Sequence, residues 1–227
     1  MKSSYYKYFA ALLLFGSNGI VASNINLPSY EIVLLRLLLG SLFLITVFTV
    51  SRQRFTFYRN KHTCLYLFIS ASAMGASWML LYEAYQQVGI SIASLAYYCG
   101  PVIVMILSPF LFRETLTWPK IAGFLTVLAG MCLVNLQALD EGKTIWGLFC
   151  GLMSAFMYAL MVTANKKAKP ESGLENSLLQ LVIGSFIVVA FVSMQKNFVL
   201  SLTTIDWIPV LLLGLLNTGI GCYLYFS

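Results

Sequence analysis

Residues 29–48 read SYEIVLLRLLLGSLFLITVF, an apolar run that holds one basic residue, Arg36, well inside it. A helix crosses a bilayer with about twenty apolar residues, because about 1.5 Å of rise per residue must cover about 30 Å of hydrocarbon. What Arg36 does there depends on the solvent around the run. Of the 227 residues 59% are hydrophobic and 10% charged, with a mean hydropathy of +0.84. An average globular chain has roughly 25% charged residues, so this balance excludes a water-soluble domain.

Seven further apolar segments accompany 30–50, at 8–23, 64–85, 90–112, 118–136, 145–164, 177–192 and 207–227. All are expected to be helical, since lipid offers the backbone no other hydrogen-bond partner. The fold class is therefore all-α, a polytopic transmembrane helix bundle. The connections are too short for a soluble domain. The start, MKSSYYK and an apolar run ending IVAS, has the outline of a cleaved secretory signal, but Gly16, Ser17, Asn18 and Gly19 interrupt a centre that a signal keeps uniformly apolar.

Basic residues set the orientation. With the amino terminus in the cytoplasm, Lys2, Lys7, Arg52, Arg54, Arg59, Lys61, Arg113, Lys120, Lys166, Lys167 and Lys169 fall inside, and only Lys143 and Lys196 outside. That bias is the positive-inside signature of a multi-pass protein of the cytoplasmic membrane with its N-terminus inside. The net charge of +6 follows from this topology and implies no nucleic-acid partner. The five cysteines have no paired spacing of a metal or redox site, and His62 follows Arg59 and Lys61 in a cytoplasmic loop. No Ser/His/Asp set, HExxH or phosphate-binding glycine loop is present. Neither a metal, a cofactor nor an enzymatic activity is expected.

A shift of 144 residues lays EIVLLRLLLGSLFLI, from Glu31, over ENSLLQLVIGSFIVV, from Glu175, and brings Gly40 onto Gly184, Ser41 onto Ser185 and Gly75 onto Gly219. Five spans separate each copy from the other, so the copies face opposite ways across the membrane, the inverted arrangement used for alternating access. The first copy covers 1–137 and the second 138–227. Eight of ten expected spans lie in these residues; partners of the fourth and fifth segments would fall near 235–280.

The chain resembles the EamA family of the drug/metabolite transporter superfamily. The residues that carry the resemblance are FGSNGI in the first span, PSYEIVLLRLLLG, EAYQQVGISIASLAYYCGPVIVMILSPFLFRETLT, and GLLNTGIGCYLYFS in the eighth span. The resemblance implies ten spans in two five-helix inverted repeats and a secondary transporter that exports small metabolites such as amino acids. A non-transporting receptor or assembly component is the alternative, and the chain shows neither the large loops nor the tails that partners would use.

Counting along the segments brings Asn18, Gly75, Tyr97, Tyr98, Pro101, Tyr158 and Asn217 to the midplane, where a substrate site between repeats belongs. Asparagines supply donor and acceptor groups there and tyrosines a flat face with a hydroxyl, although both also serve as plain helix-packing residues. Pro101 reads as a mid-span proline that frees a carbonyl near Tyr97. Trp78 lies deeper and fits core or cavity. Arg36, about 8 Å below Glu31 at about 1.5 Å per residue, shares its depth with Glu83. The two are expected to pair; snorkelling, or capture of a substrate carboxylate, is the other reading. Glu114 at the inner end of the fourth segment suits a pairing or gating role. Glu83 is also the one intramembrane acid through which a proton could couple, with exchange or facilitated diffusion equally open.

Overall fold

The computed structural model describes residues 2–25, 27–113, 115, 117–135, 145–170, 172–193 and 207–226, with side chains for all of these except 2–4, 29, 127, 128 and 131–135. They form eight helices with no strand among them: α1 (Lys2–Ala22), α2 (Ser29–Val50), α3 (Lys61–Tyr97), α4 (Cys99–Phe112), α5 (Trp118–Asn135), α6 (Ile145–Ala168), α7 (Gly173–Ser193) and α8 (Trp207–Phe226). Every expected segment is helical, so the all-α bundle is confirmed. Glu114 lies outside the described residues.

Local chemistry sets several ends. Asn60 caps α3, its side-chain oxygen accepting from the His62 amide at 2.9 Å. Pro119 stands in the first turn of α5, where its missing N–H costs nothing. Together α3 and α4 make one helical stretch of 52 residues, Lys61–Phe112, about 78 Å at about 1.5 Å per residue and more than twice the thickness of the hydrocarbon. It has to turn back, and it breaks at Gly89, whose φ of 79° and ψ of 161° are non-helical. A second break, at Tyr98, separates α3 from α4.

That break corrects the reading of Pro101. The proline sits in the first turn of α4, where no intrahelical partner is lost. The fourth span, expected as one helix over 90–112, is the last turns of α3 followed by α4. The eighth span departs too: Leu212–Ile220 is wound as a π-helix between α-helical ends.

Burial is inverted relative to a water-soluble protein. Outward positions carry Phe110, Phe186 and Leu42, each more than half exposed, while Arg36, Gln180, Ser154 and Thr218 are buried. Five helical stretches, Tyr30–Val50, Lys61–Phe112, Ile145–Ala168, Gly173–Ser193 and Trp207–Phe226, are long and apolar enough to cross a membrane.

The main packing contacts are α3 with α6, α2 with α7, α2 with α8, α3 with α7, α4 with α6, and α1 with α8. Exchanging α1, α2 and α3 for α6, α7 and α8 maps α3–α6 onto α8–α1 and α2–α8 onto α7–α3, and leaves α2–α7 in place. The correspondence reaches single residues. A Cβ on Gly40 would stand 2.8 Å from the Thr218 methyl, and one on Gly184 would stand 3.2 Å from the Met74 methyl; Met74 and Thr218 are themselves 144 residues apart.

Polar pairs lock the α3–α6 seam. Ser77 Oγ donates to the Ser154 carbonyl at 2.9 Å and Ser154 Oγ donates to that of Ser77 at 2.7 Å. About two turns away, Gln180 Nε2 donates to Ser70 Oγ at 2.7 Å, and Ser70 Oγ to the Met161 carbonyl at 2.9 Å.

Gly75 packs at the α3–α7 crossing, where an added Cβ would lie 3.0 Å from the carbonyl oxygen of Gly184. Backbone cannot yield there as a side chain can. Gly75→Ala is expected to destabilise by about 1–3 kcal/mol, the usual cost of overpacking. Gly184→Ala should cost less, since only the flexible Met74 end is in the way. Thermal unfolding in nanodiscs measures both. At Gly89 nothing stands within 4 Å of a Cβ, so Gly89→Ala should cost about 1–3 kcal/mol through backbone conformation alone.

Candidate functional site

A cavity of about 230 Å³ opens between α1, α2, α3, α4, α6 and α8. Its wall includes Asn18 from α1, Arg36 from α2, Trp78, Tyr82, Tyr85, Ser94 and Tyr97 from α3, then Tyr98, Pro101 from α4, Tyr158 and Met161 from α6, and Cys222 and Tyr225 from α8. Of the midplane candidates, Asn18, Tyr97, Tyr98, Pro101 and Tyr158 thus come together, and Trp78, expected in core or cavity, joins them. Gly75 and Asn217 do not join them.

Asn217 stands behind the wall. Its Nδ2 lies 2.9 Å from each of the Leu14 carbonyl, Ser17 Oγ and Asn18 Oδ1, so two amide protons are offered to three acceptors on α1. This ties α1 to α8 and fixes the orientation of Asn18 at the cavity surface.

The tyrosines form two groups. Tyr158 and Tyr225 share a hydrogen bond at 3.0 Å between hydroxyls, and Tyr97 meets the Tyr158 ring edge-on with centroids 5.3 Å apart. Such pairs prefer tilted geometry because ring edges are positive and ring faces negative. The Tyr82 and Tyr85 rings follow at 5.2 Å.

Arg36 is 2% exposed. Its Nε donates to Thr218 Oγ1 at 3.0 Å and its Nη1 to Tyr82 Oη at 2.7 Å. The guanidinium carbon lies 4.0 Å from the centroid of the Trp78 ring and 5.3 Å from that of Tyr82. This corrects the expected pair with Glu83. The partner on α3 is Tyr82, one residue earlier, and neighbouring helix positions point about 100° apart. Glu83 accepts instead from Gln87 Nε2 at 3.0 Å and is not part of the wall.

Depth alone did not reveal Tyr82, Tyr85 and Tyr225. The signal was present in spacing: Trp78, Tyr82 and Tyr85 follow at four and three residues, one stripe of a helix. Thr218 was hidden because the π winding sets which face it presents. Its hydroxyl donates to the Leu213 carbonyl, five residues back, at 2.7 Å, while accepting from Arg36.

Residues 3–136 and 145–227 match the EamA-like transporter family. The chain belongs to that family. A Bacillus subtilis (strain 168) protein described as the uncharacterized transporter YxxF is 26% identical over 228 residues, covering 97% of this chain and 71% of that protein. An Acidianus ambivalens protein described as an uncharacterized transporter in the sor 3' region is 27% identical over 130 residues, covering 57% of this chain and 50% of its own. A solved crystal structure is similar over 100% of this chain and 78% of its own, with a TM-score of 0.78 at 18% identity, a likeness of fold. As an EamA-like family member the chain is a multi-pass membrane transporter, and this family implies a small-molecule substrate and contact with lipid.

Removing either hydroxyl that holds Arg36 leaves a guanidinium N–H buried without a partner. Tyr82→Phe and Thr218→Val are each expected to destabilise by about 1–3 kcal/mol. Both act on one group, so their costs should be non-additive in a double-mutant cycle. Chemical or thermal unfolding in nanodiscs gives the coupling; simple additivity would mean that Arg36 is held elsewhere.

Proposed function

We propose that this chain is a secondary transporter that exports small metabolites, such as amino acids, across the plasma membrane by alternating access. Its N-terminus lies in the cytoplasm. Two repeats, 1–137 and 138–227, oppose each other in inverted orientation, and the cavity is the substrate site between them. The observation that carries the reading is the cavity's place. Its wall draws on α1 to α4 from one repeat and on α6 and α8 from the other, and the helix pairings among α1–α3 and α6–α8 map onto one another when the repeats are exchanged. A site shared this way changes its access side when the repeats rock against each other.

Glu83, outside the cavity wall, is the acid through which a proton would couple; Glu83→Gln separates that mechanism from exchange and facilitated diffusion. Gly16 provides the steric test. It lines the cavity, and nothing stands within 4 Å of where its Cβ would be. Gly16→Phe puts a bulky side chain at this wall position with its Cβ in open space. In proteoliposomes loaded with unlabelled metabolites, the chain is expected to support saturable counterflow of a labelled one. Gly16→Phe should lower that flux by about tenfold or more through steric exclusion, with its unfolding temperature within about 4 °C of the parent. Absence of flux for every compound from a folded chain would overturn the transporter mechanism proposed here.

A further inference from the structure

The formal charge on the cavity wall is positive and has no counter-ion in it. Among the described lining residues there is no aspartate or glutamate. Of the five N–H donors of a guanidinium, Thr218 and Tyr82 take two. Nη2 is buried with no hydrogen-bond partner. Three N–H groups remain, one on Nη1 and both on Nη2, and a guanidinium with two such nitrogens can engage a carboxylate with two parallel bonds.

The rest of the wall decides what such a carboxylate is attached to. The faces of Trp78 and Tyr82 are already taken by Arg36 itself, and the other rings of the wall carry no formal negative charge for an ammonium group. With no acid among the described lining residues, an amine would meet the like charge of Arg36 and no anionic partner. A dianion would leave one negative charge uncompensated against aromatic surface, which is costly at low dielectric. The volume, about 230 Å³, is that of roughly eight waters at about 30 Å³ each.

We propose that the cavity takes a small organic monoanion, a carboxylate on an apolar or aromatic body without an ammonium group. The carboxylate binds at Arg36, and the body lies among Tyr97, Tyr158 and Tyr225. This rests on reading the cavity as the substrate site, and it narrows the substrate away from zwitterionic amino acids. The second repeat carries Gln180 where the first has Arg36, and Gln180 bonds Ser70, so the anion has one place to bind.

Four probes of one shape separate the charges: 3-phenylpropanoate, 3-phenylpropanamide, phenylalanine and 2-phenylethylamine. Calorimetric titration into nanodiscs holding the 227-residue chain, with empty nanodiscs subtracted, is expected to show the acid binding about tenfold or more tighter than the other three. Arg36→Lys, which keeps the charge but not the fork, should keep part of this preference and Arg36→Gln should erase it. Because the preference is a ratio within each protein, altered stability of a variant does not mimic it, and the parent comparison stands without any variant. No binding of the acid, equal binding of the amide or phenylalanine, or an acid preference that survives in Arg36→Gln would each overturn the proposal. Flux in proteoliposomes distinguishes the two readings. If the amide or phenylalanine is carried while the acid is ignored, the proposal falls and transport stands. Should the acid bind in an Arg36-dependent way but never cross, the monoanion site stands and transport falls.

Discussion

Arg36 places a full positive charge inside an apolar bundle, and the neighbouring helices are arranged around it. Central placement of an arginine in a membrane helix costs about 2.5–3.5 kcal/mol on insertion scales. Two hydrogen bonds to a charged donor, about 1.5–3 kcal/mol each, and a desolvated cation–π contact of about 2 kcal/mol offset it. The bonds come from two different helices, α3 through Tyr82 and α8 through Thr218. Their delivery requires close approach. Gly40, one turn from Arg36 on the same face, lets α2 lie against Thr218, and the residue that anchors the charge is thus also the residue that defines the crossing.

The same crossing recurs on the other side of the bundle with different chemistry. Gly184 lies against Met74 on α3, and Gln180, one turn before it, bonds Ser70. A neutral amide stands there in place of the guanidinium. The helix scaffold is common to the two units, but the charge is confined to one. This difference makes the cavity electrically one-sided within a nearly symmetrical frame.

Much of the fold was legible because a bilayer leaves few choices: an apolar segment such as 30–50 or 145–164 has to be a helix. Depth in the membrane was legible too, since it follows from counting residues, and it brought Asn18, Tyr97 and Tyr158 to one cavity. Azimuth was not. Tyr82 and Glu83 differ by about 1.5 Å in depth but by about 100° in direction, and electrostatic intuition chose the acid where the structure uses the phenol. Winding was equally hidden, because nothing in LLGLLNTGI distinguishes a π turn from an α turn until its neighbours are known. Pro101 misled for a related reason: its effect depends on whether a helix begins just before it, and Tyr98, which provides that start, has no breaker character of its own.

The π winding of Leu212–Ile220 sets the angular phase of everything after it. Hydrogen bonds that reach five residues back hold more chain in each turn than the 3.6 residues of an α-helix. Residues beyond the segment are consequently rotated from where uniform α winding would aim them. Cys222 and Tyr225 face the cavity with that offset already built in. The segment thus behaves as an inserted residue absorbed without a loop. In a relative lacking that extra length, the tail of this helix would turn a different set of side chains inward while the bundle around it stayed the same.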